Sequence, residues 1–319
     1  MDEFDLIARI RSRAPHGTGV VLGIGDDAAV LACAPGEQIV ATTDNLVAGR
    51  HFRDAGPSAA TPEEIGHLAL AVNLSDLAAM GARPRWSLLS LTLPEAAPEW
   101  LEGFLDGYLA LASSHDCALV GGNLARGPLN VSVTALGASA EGQFATRRGG
   151  VPGDRIVVTG SLGDAAAALA LEAEPGHRLR PRLLRPTPRL EAGISLAREA
   201  RALIDISDGL LADLSHLLGG AGAEIECGLL PASDELIEAV PDPRLRWTMQ
   251  LSGGDYELLA LMPAEASVPE SIGEVALTEI GRITEASGIR CLDPSGQPVD
   301  FEPSGWDHFR TPSTGEPRE

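Results

Sequence analysis

Lysine is absent from this 319-residue chain, and all 24 of its basic side chains are arginine. Without lysine there is no Schiff-base chemistry and no lysine-anchored pyridoxal phosphate. A Walker A loop, which ends in Gly-Lys-Ser/Thr, is excluded, as is the phosphate-binding lysine of protein kinases. Phosphate, if it is handled, must be handled by metal ions, backbone amides and arginine. Aromatic residues make up only 4% of the chain, too few for a base-stacking platform. The four cysteines, Cys33, Cys117, Cys227 and Cys291, form no C-x-x-C clip and read as single thiols in a reducing compartment. No run approaches the ~20 apolar residues of a membrane span. The N-terminal MDEFDLIARIRSR is acidic at its start and has no apolar core of a signal peptide, so a cytoplasmic protein is expected.

Acidic residues dominate, 45 against 24 basic, for a formal net charge of −21. Such a chain repels nucleic-acid backbones and anionic membranes, so neither is expected as a partner. Hydrophobic residues at 44% and charged residues at 22% are globular values. The length suggests about two domains.

Mixed strands and helices fill both halves. The spacing of Phe4, Ile7 and Ile10 predicts a short helix over 4–13. Thr61-Pro62-Glu63-Glu64 is a helix start with a capping box, and that helix is expected to stop at Gly81. Strands are expected at Gln38–Thr43, Trp86–Leu93, Ala118–Val120, Leu129–Gly137 and Arg155–Thr159, with a helix from Pro98 to about Ser114. Turn residues Pro152-Gly153-Asp154 and a change of charge pattern at Arg147-Arg148 place the domain boundary near 148. The expected division is 1–148, 149–309 and a polar tail 310–319. Strands alternating with helices in each half argue for two α/β or α+β domains.

Carboxylates recur in one setting: a short apolar run, then Asp beside Gly, Ser or Thr. The segments are Gly25-Asp26-Asp27, Thr42-Thr43-Asp44, Asn73-Leu74-Ser75-Asp76, Asp205-Ile206-Ser207-Asp208-Gly209 and Gly253-Gly254-Asp255. Singly, each suits a turn or an N-cap, and Asp208 could cap the helix beginning at Gly209. Asp76 lies inside an apolar helix, where a carboxylate needs a partner, and a cation would serve. Together these oxygens suit hard ions such as Mg²⁺, which completes its shell with substrate phosphates. No zinc-type spacing occurs. Gly23-Ile24-Gly25-Asp26-Asp27-Ala28 formally fits a dinucleotide fingerprint, but Pro35-Gly36 breaks the chain where that fingerprint needs a helix. Gly121-Gly122-Asn123 follows a strand and could let backbone amides approach phosphate.

Taken in order, Gly-Ile-Gly-Asp-Asp-Ala-Ala-Val (23–30), Thr-Thr-Asp-Asn-Leu-Val-Ala-Gly-Arg-His-Phe (42–52), Ala-Val-Asn-Leu-Ser-Asp-Leu-Ala-Ala-Met-Gly-Ala (71–82), Ile-Ser-Asp-Gly-Leu (206–210) and Gly-Trp-Asp-His-Phe (305–309) resemble the thiamine-monophosphate kinase family. That family sits in the larger group of ATP-binding proteins resembling aminoimidazole ribonucleotide synthetase. The resemblance implies a two-domain fold of that type: an N-terminal sheet pairing across a homodimer and an α+β C-terminal domain. It implies ATP-dependent phosphorylation of thiamine monophosphate to thiamine diphosphate. It further implies Mg²⁺ at Asp27, Thr42, Thr43, Asp44, Asp76, Asp205 and Asp208, ATP at Gly121, Gly122, Arg147 and Ser207, and the thiamine moiety at His51 and Trp306.

Two places depart from the family pattern. Gly121-Gly122-Asn123-Leu124 stands where the family has Gly-Gly-Asp-Thr, so a metal carboxylate becomes the amide of Asn123. Gly253-Gly254-Asp255-Tyr256-Glu257 lacks one residue of Gly-Gly-Glu-Asp-Tyr-Glu, and Asp255 is the candidate to replace the substrate-facing Glu. The acceptor is a phosphate monoester, already nucleophilic at neutral pH, so no catalytic base is expected and none is evident. Rival readings are another ATP-dependent enzyme of the same group, or a catalytically impaired nucleotide-binding paralogue, motivated by Asn123 and the short 253–257 loop.

Overall fold

The structure is a computed structural model and describes residues 3–15, 17–24 and 28–301. The first half runs α1 (Glu3–Arg13), β1 (Val20–Leu22), β2 (Val30–Leu31), β3 (Glu37–Val47), α2 (Pro62–Ala79), β4 (Arg83–Leu93), α3 (Pro98–Ser114), β5 (Ala118–Arg126) and β6 (Asn130–Ala140). The second half runs β7 (Arg155–Thr159), α4 (Asp164–Ala170), α5 (Arg180–Leu184), α6 (Leu190–Leu196), β8 (Ala202–Asp205), α7 (Leu210–Leu217) and β9 (Gly222–Glu226). It continues through a 3-10 turn, then α8 (Asp234–Ala239), α9 (Pro243–Ser252), β10 (Leu258–Met262), β11 (Ser271–Ile272), β12 (Val275–Thr284), β13 (Gly288–Leu292) and β14 (Pro298–Val299).

Helix α2 starts where its sequence signals it. The Thr61 hydroxyl accepts from Glu64 N at 3.2 Å, and the Glu64 carboxylate accepts from Thr61 N at 2.8 Å. Such caps are worth about 1 kcal/mol. Apolar residues surround the helix axis, so it is buried on all sides. One side packs on α3, β3 and β6, the other on α5, α6 and β8.

The four-stranded sheet of the first half has the order β3-β6-β4-β5. Strand β3 pairs with β6 over its whole length, from Glu37 opposite Ala140 to Val47 opposite Asn130. It thus outruns the expected Gln38–Thr43 and carries Asp44 within the sheet. Strand β5 likewise continues through Gly121, Gly122 and Asn123, paired in parallel with Leu88, Leu89 and Ser90. Glycine pairs commonly mark turns, but here ladder pairing with β4 keeps Gly121 and Gly122 in the strand. A Cβ on Gly122 would sit 1.8 Å from Leu89 O, so only glycine fits.

The sheet of the second half has the order β14-β13-β9-β12-β7-β10-β8, with β11 added to β12. Its strands alternate between two cores, as a period of two requires. Val157, Leu258 and Ala260 join the core built on α2 and the first sheet. Ile156, Val158, Leu259 and Leu261 face a second core with Leu210, Leu214 and Ile225. Among the described residues no helix is long and apolar enough to cross a membrane.

Candidate active site

A cavity of about 670 Å³ opens where the end of β3, the middle of α2 and the loop after β8 meet. Its lining includes Thr43, Asp44, His51, Asp76, Arg147, Asp205 and Ser207, all singled out from sequence, together with Tyr256. Strand periodicity turns Asp44 toward α2, where its backbone N–H donates to Asn73 Oδ1 at 3.1 Å. Asn73 is itself held by donating to Ala69 O at 3.0 Å. Thr42, on the same face of β3, donates its hydroxyl to the Asp76 carboxylate. Thr43 points to the opposite face and donates to Val133 O at 3.0 Å. His51 Nδ1 accepts from Val47 N at 3.0 Å, which leaves the ring proton of the neutral imidazole on Nε2.

Asp205 ends β8 and is 2% exposed. Its Oδ2 accepts from the Ser75 hydroxyl at 2.8 Å, while its Oδ1 is buried with no partner among the described residues. Burial pushes the Asp205 carboxyl up to about 7, with Asp76 adding to the shift. Burial likewise pushes Asp44 up to about 6, again with Asp76 adding and Arg147 opposing. Asp76 is raised too, first by burial. Arg147 is the one arginine among the described lining residues. Negative charge is therefore gathered in excess and only partly countered. An orphaned buried carboxylate oxygen beside two more carboxylates fits a hard cation. Among the described residues no three Asp, Glu, His or Cys are grouped closely enough to hold a metal ion by themselves, so an ion here would need water and substrate phosphate to complete its shell.

The loop 206–209 is shaped by a residue that sequence reasoning passed over. Asp213, in the first turn of α7, accepts from Ser207 N at 2.9 Å, Asp208 N at 3.0 Å and Gly209 N at 3.2 Å. Gly209 takes the N-cap position of α7 with no side-chain cap bond, so Asp208 does not cap it, and Asp213 instead pins the loop ahead of the helix. An acid in the first turn after Asp-Gly was the available signal.

Several expected residues lie elsewhere. Gly121, Gly122 and Asn123 sit on the edge strand β5 and do not line the cavity. Asp208 is adjacent in the loop but also does not line it. Asp255 does not face the cavity in place of the family's Glu. It is 1% exposed, and its carboxylate accepts from Gly163 N at 2.6 Å and Ala165 N at 2.9 Å, holding the start of α4. A side chain at Gly254 would place its Cβ 2.3 Å from Ser207 O, so that position has no room for one either. Asp27 and Trp306 lie outside the described residues.

Beside the cavity, Glu257 is 0% exposed and is gripped by the Thr159 hydroxyl at 2.6 Å, by Arg182 at 2.6 Å and by Arg189 at 2.6 and 2.7 Å. Between Asp255 and Glu257, Tyr256 adopts φ +53°, a left-handed conformation that costs of order 1–3 kcal/mol for such a residue.

A mixed sheet in each half, joined through α2 and carrying carboxylates at strand ends, defines the class. Residues 25–139 match the AIR synthase related protein N-terminal domain, and residues 151–293 match the corresponding C-terminal domain. Within that class, the thiamine-monophosphate kinase of Salmonella typhimurium is 42% identical over 97% of this chain and 99% of its own length. A crystal structure of thiamine-monophosphate kinase from Stenotrophomonas maltophilia is 43% identical and superposes with a TM-score of 0.83, covering 94% of this chain and 98% of that one. AaThiL complexed with AMPPCP and TMP is 34% identical with a TM-score of 0.75, over 96% and 97% of the two chains. The chain belongs to the thiamine-monophosphate kinase family.

Proposed function

We propose that this chain transfers the γ-phosphoryl group of ATP to the phosphate of thiamine monophosphate, giving ADP and thiamine diphosphate. The observation that carries the reading, beyond family membership, is the cluster of Asp44, Asp76 and Asp205 around an orphaned buried oxygen in a cavity of substrate size. Asp44, Asp76 and Asp205 would hold Mg²⁺, with Thr42 beside Asp76; of the other candidates, Asp208 is in the adjoining loop, Thr43 turns to the other face of β3, Asn123 lies on β5 outside the cavity, and Asp27 lies outside the described residues. When bound, Mg²⁺ neutralises the repulsion between two phosphate anions and favours in-line transfer.

The chain's own groups orient and do not exchange protons. A phosphate monoester with a second pKa near 6 is already ionised at neutral pH, so no general base is needed. Arg147 and Ser207 contact the nucleotide, with Gly121 and Gly122 offering backbone amides. His51 and Trp306 contact the thiamine moiety. The reading extends to a cytoplasmic homodimer whose first-half sheets pair. The edges of β3 and β5 carry no strand neighbour among the described residues, and Ile39 on β3 is 55% exposed. The division at 148 lies in the connection between β6 and β7, with 1–148 forming the ATP- and metal-binding, dimer-forming unit, 149–309 the α+β unit and 310–319 a tail.

The test is direct. Purified chain with ATP, Mg²⁺ and thiamine monophosphate should release ADP and thiamine diphosphate in equal amounts, and EDTA should abolish this. ADP formation without thiamine diphosphate, or undiminished turnover in metal-free buffer, would overturn the reading.

A further inference from the structure

Tyr256 lines the cavity in company with Asp44, Asp76 and Asp205. A left-handed tyrosine persists only where its surroundings over-determine it. Here they do so on both sides. Tyr256 N donates to Ile206 O at 2.9 Å, and Ile206 N donates to Glu257 O at 2.8 Å. Asp255 before it is tied to Gly163 and Ala165, and Glu257 after it is tied to Arg182 and Arg189. The backbone is thus anchored in a strained turn whose effect is to present one phenol to the cavity.

That phenol is unspent. Its hydroxyl makes no hydrogen bond to any described residue, although the cavity wall beside it is rich in carboxylate acceptors. A tyrosine hydroxyl is protonated at neutral pH and serves as a donor. An O–H group held among carboxylates and donating to none of them suits an anionic acceptor that arrives with the substrates. Resting on the kinase reading above, we infer that Tyr256 is a catalytic residue: its hydroxyl donates to a non-bridging oxygen of the phosphoryl group in transfer. The bond from phosphorus to the bridging oxygen of ADP breaks, and the bond to the acceptor phosphate oxygen forms. The tyrosine keeps its proton throughout. The contact strengthens as charge spreads over the equatorial oxygens, so it acts on the transition state more than on either bound substrate.

Tyr256→Phe removes only the hydroxyl and keeps the ring. The expected result is a fall in kcat of at least about tenfold, with KM for ATP and for thiamine monophosphate each within about twofold of wild type and an unchanged unfolding midpoint. Wild-type kcat, or a loss carried wholly by one KM, would overturn the assignment. A second measurement needs no variant to fold well. The chain has two tyrosines, Tyr108 and Tyr256, and Tyr108 is in the core. In 3-fluorotyrosine-labelled protein, adding Mg²⁺, thiamine monophosphate and a non-hydrolysable ATP analogue should move the Tyr256 fluorine resonance and leave that of Tyr108 in place. A stationary Tyr256 signal would also overturn it. If wild type makes no thiamine diphosphate, the kinase reading fails; if wild type turns over and Tyr256→Phe matches it, only the role of Tyr256 fails.

Discussion

Replacing Glu257 by Gln should be among the most damaging single changes in this chain. The wild-type carboxylate is fully buried and accepts from Thr159, from Arg182 and twice from Arg189. Gln keeps the shape but removes the charge, and it turns an NH₂ donor toward guanidinium donors. Arg182 keeps a bond to Ser161 O at 3.1 Å and a longer 3.3 Å pair with Asp164, neither of which replaces the lost carboxylate charge at hydrogen-bond distance. Breaking one partner out of a buried ionic group costs about 3–5 kcal/mol, because the remaining charge stays desolvated. That is a large part of the roughly 5–15 kcal/mol by which native proteins are stable. Guanidinium or urea unfolding should show the midpoint falling with the slope unchanged. A loss below about 1 kcal/mol would refute the reasoning, since it would mean that water reaches the cluster. Stranded charge and lost packing are separable. The triple change Glu257→Leu, Arg182→Met and Arg189→Met should restore most of the stability, because apolar groups of similar size can replace a buried ionic cluster at little cost.

Three further outcomes follow from the same geometry. Asp44→Asn should slow thiamine diphosphate formation at least about tenfold, a contact to a charged group being worth roughly 1.5–3 kcal/mol; in metal-free buffer it should melt no lower than wild type, since it removes a buried charge beside Asp76. Asp213→Ala should lower stability by about 1–3 kcal/mol and raise the KM for ATP, because three N–H groups of the 207–209 loop lose their acceptor; a wild-type KM would detach that loop from the nucleotide. Asn123→Asp should lower the Mg²⁺ concentration for half-maximal rate, and an unchanged titration would remove position 123 from the metal shell.

What was legible in the sequence was local or strongly patterned. The capping box at Thr61 announces α2 within four residues, and Asp44, Asp76, Asp205 and Ser207 sit in segments whose form already suggests a shared site. The misreadings share a physical cause. A carboxylate after two glycines looks the same whether it faces a ligand or caps a helix; for Asp255 the decision is made by Gly163 and Ala165, some ninety residues away. The strand expected at Ala118–Val120 continues through Gly121-Gly122 because β4 pairs with them. Ser75 and Asp205 meet only through the packing of α2 on β8. Helices α5 and α9 carry Pro181 and Pro243 in their first turns, a signal that was present, but both are too short to show a helical period.

Helix α2 has a consequence for how substrates get in. Many two-domain enzymes open a cleft by swinging one half against the other about a hinge. Here the helix that carries Asp76 is clamped on one side by the first sheet and on the other by α5, α6 and β8. Its Ser75 is bonded to Asp205 of the opposite half. A swing would tear a continuous core and pull the carboxylates apart. A route for substrates that left the Ser75–Asp205 bond and the shared core intact would leave the three carboxylates in register throughout the catalytic cycle.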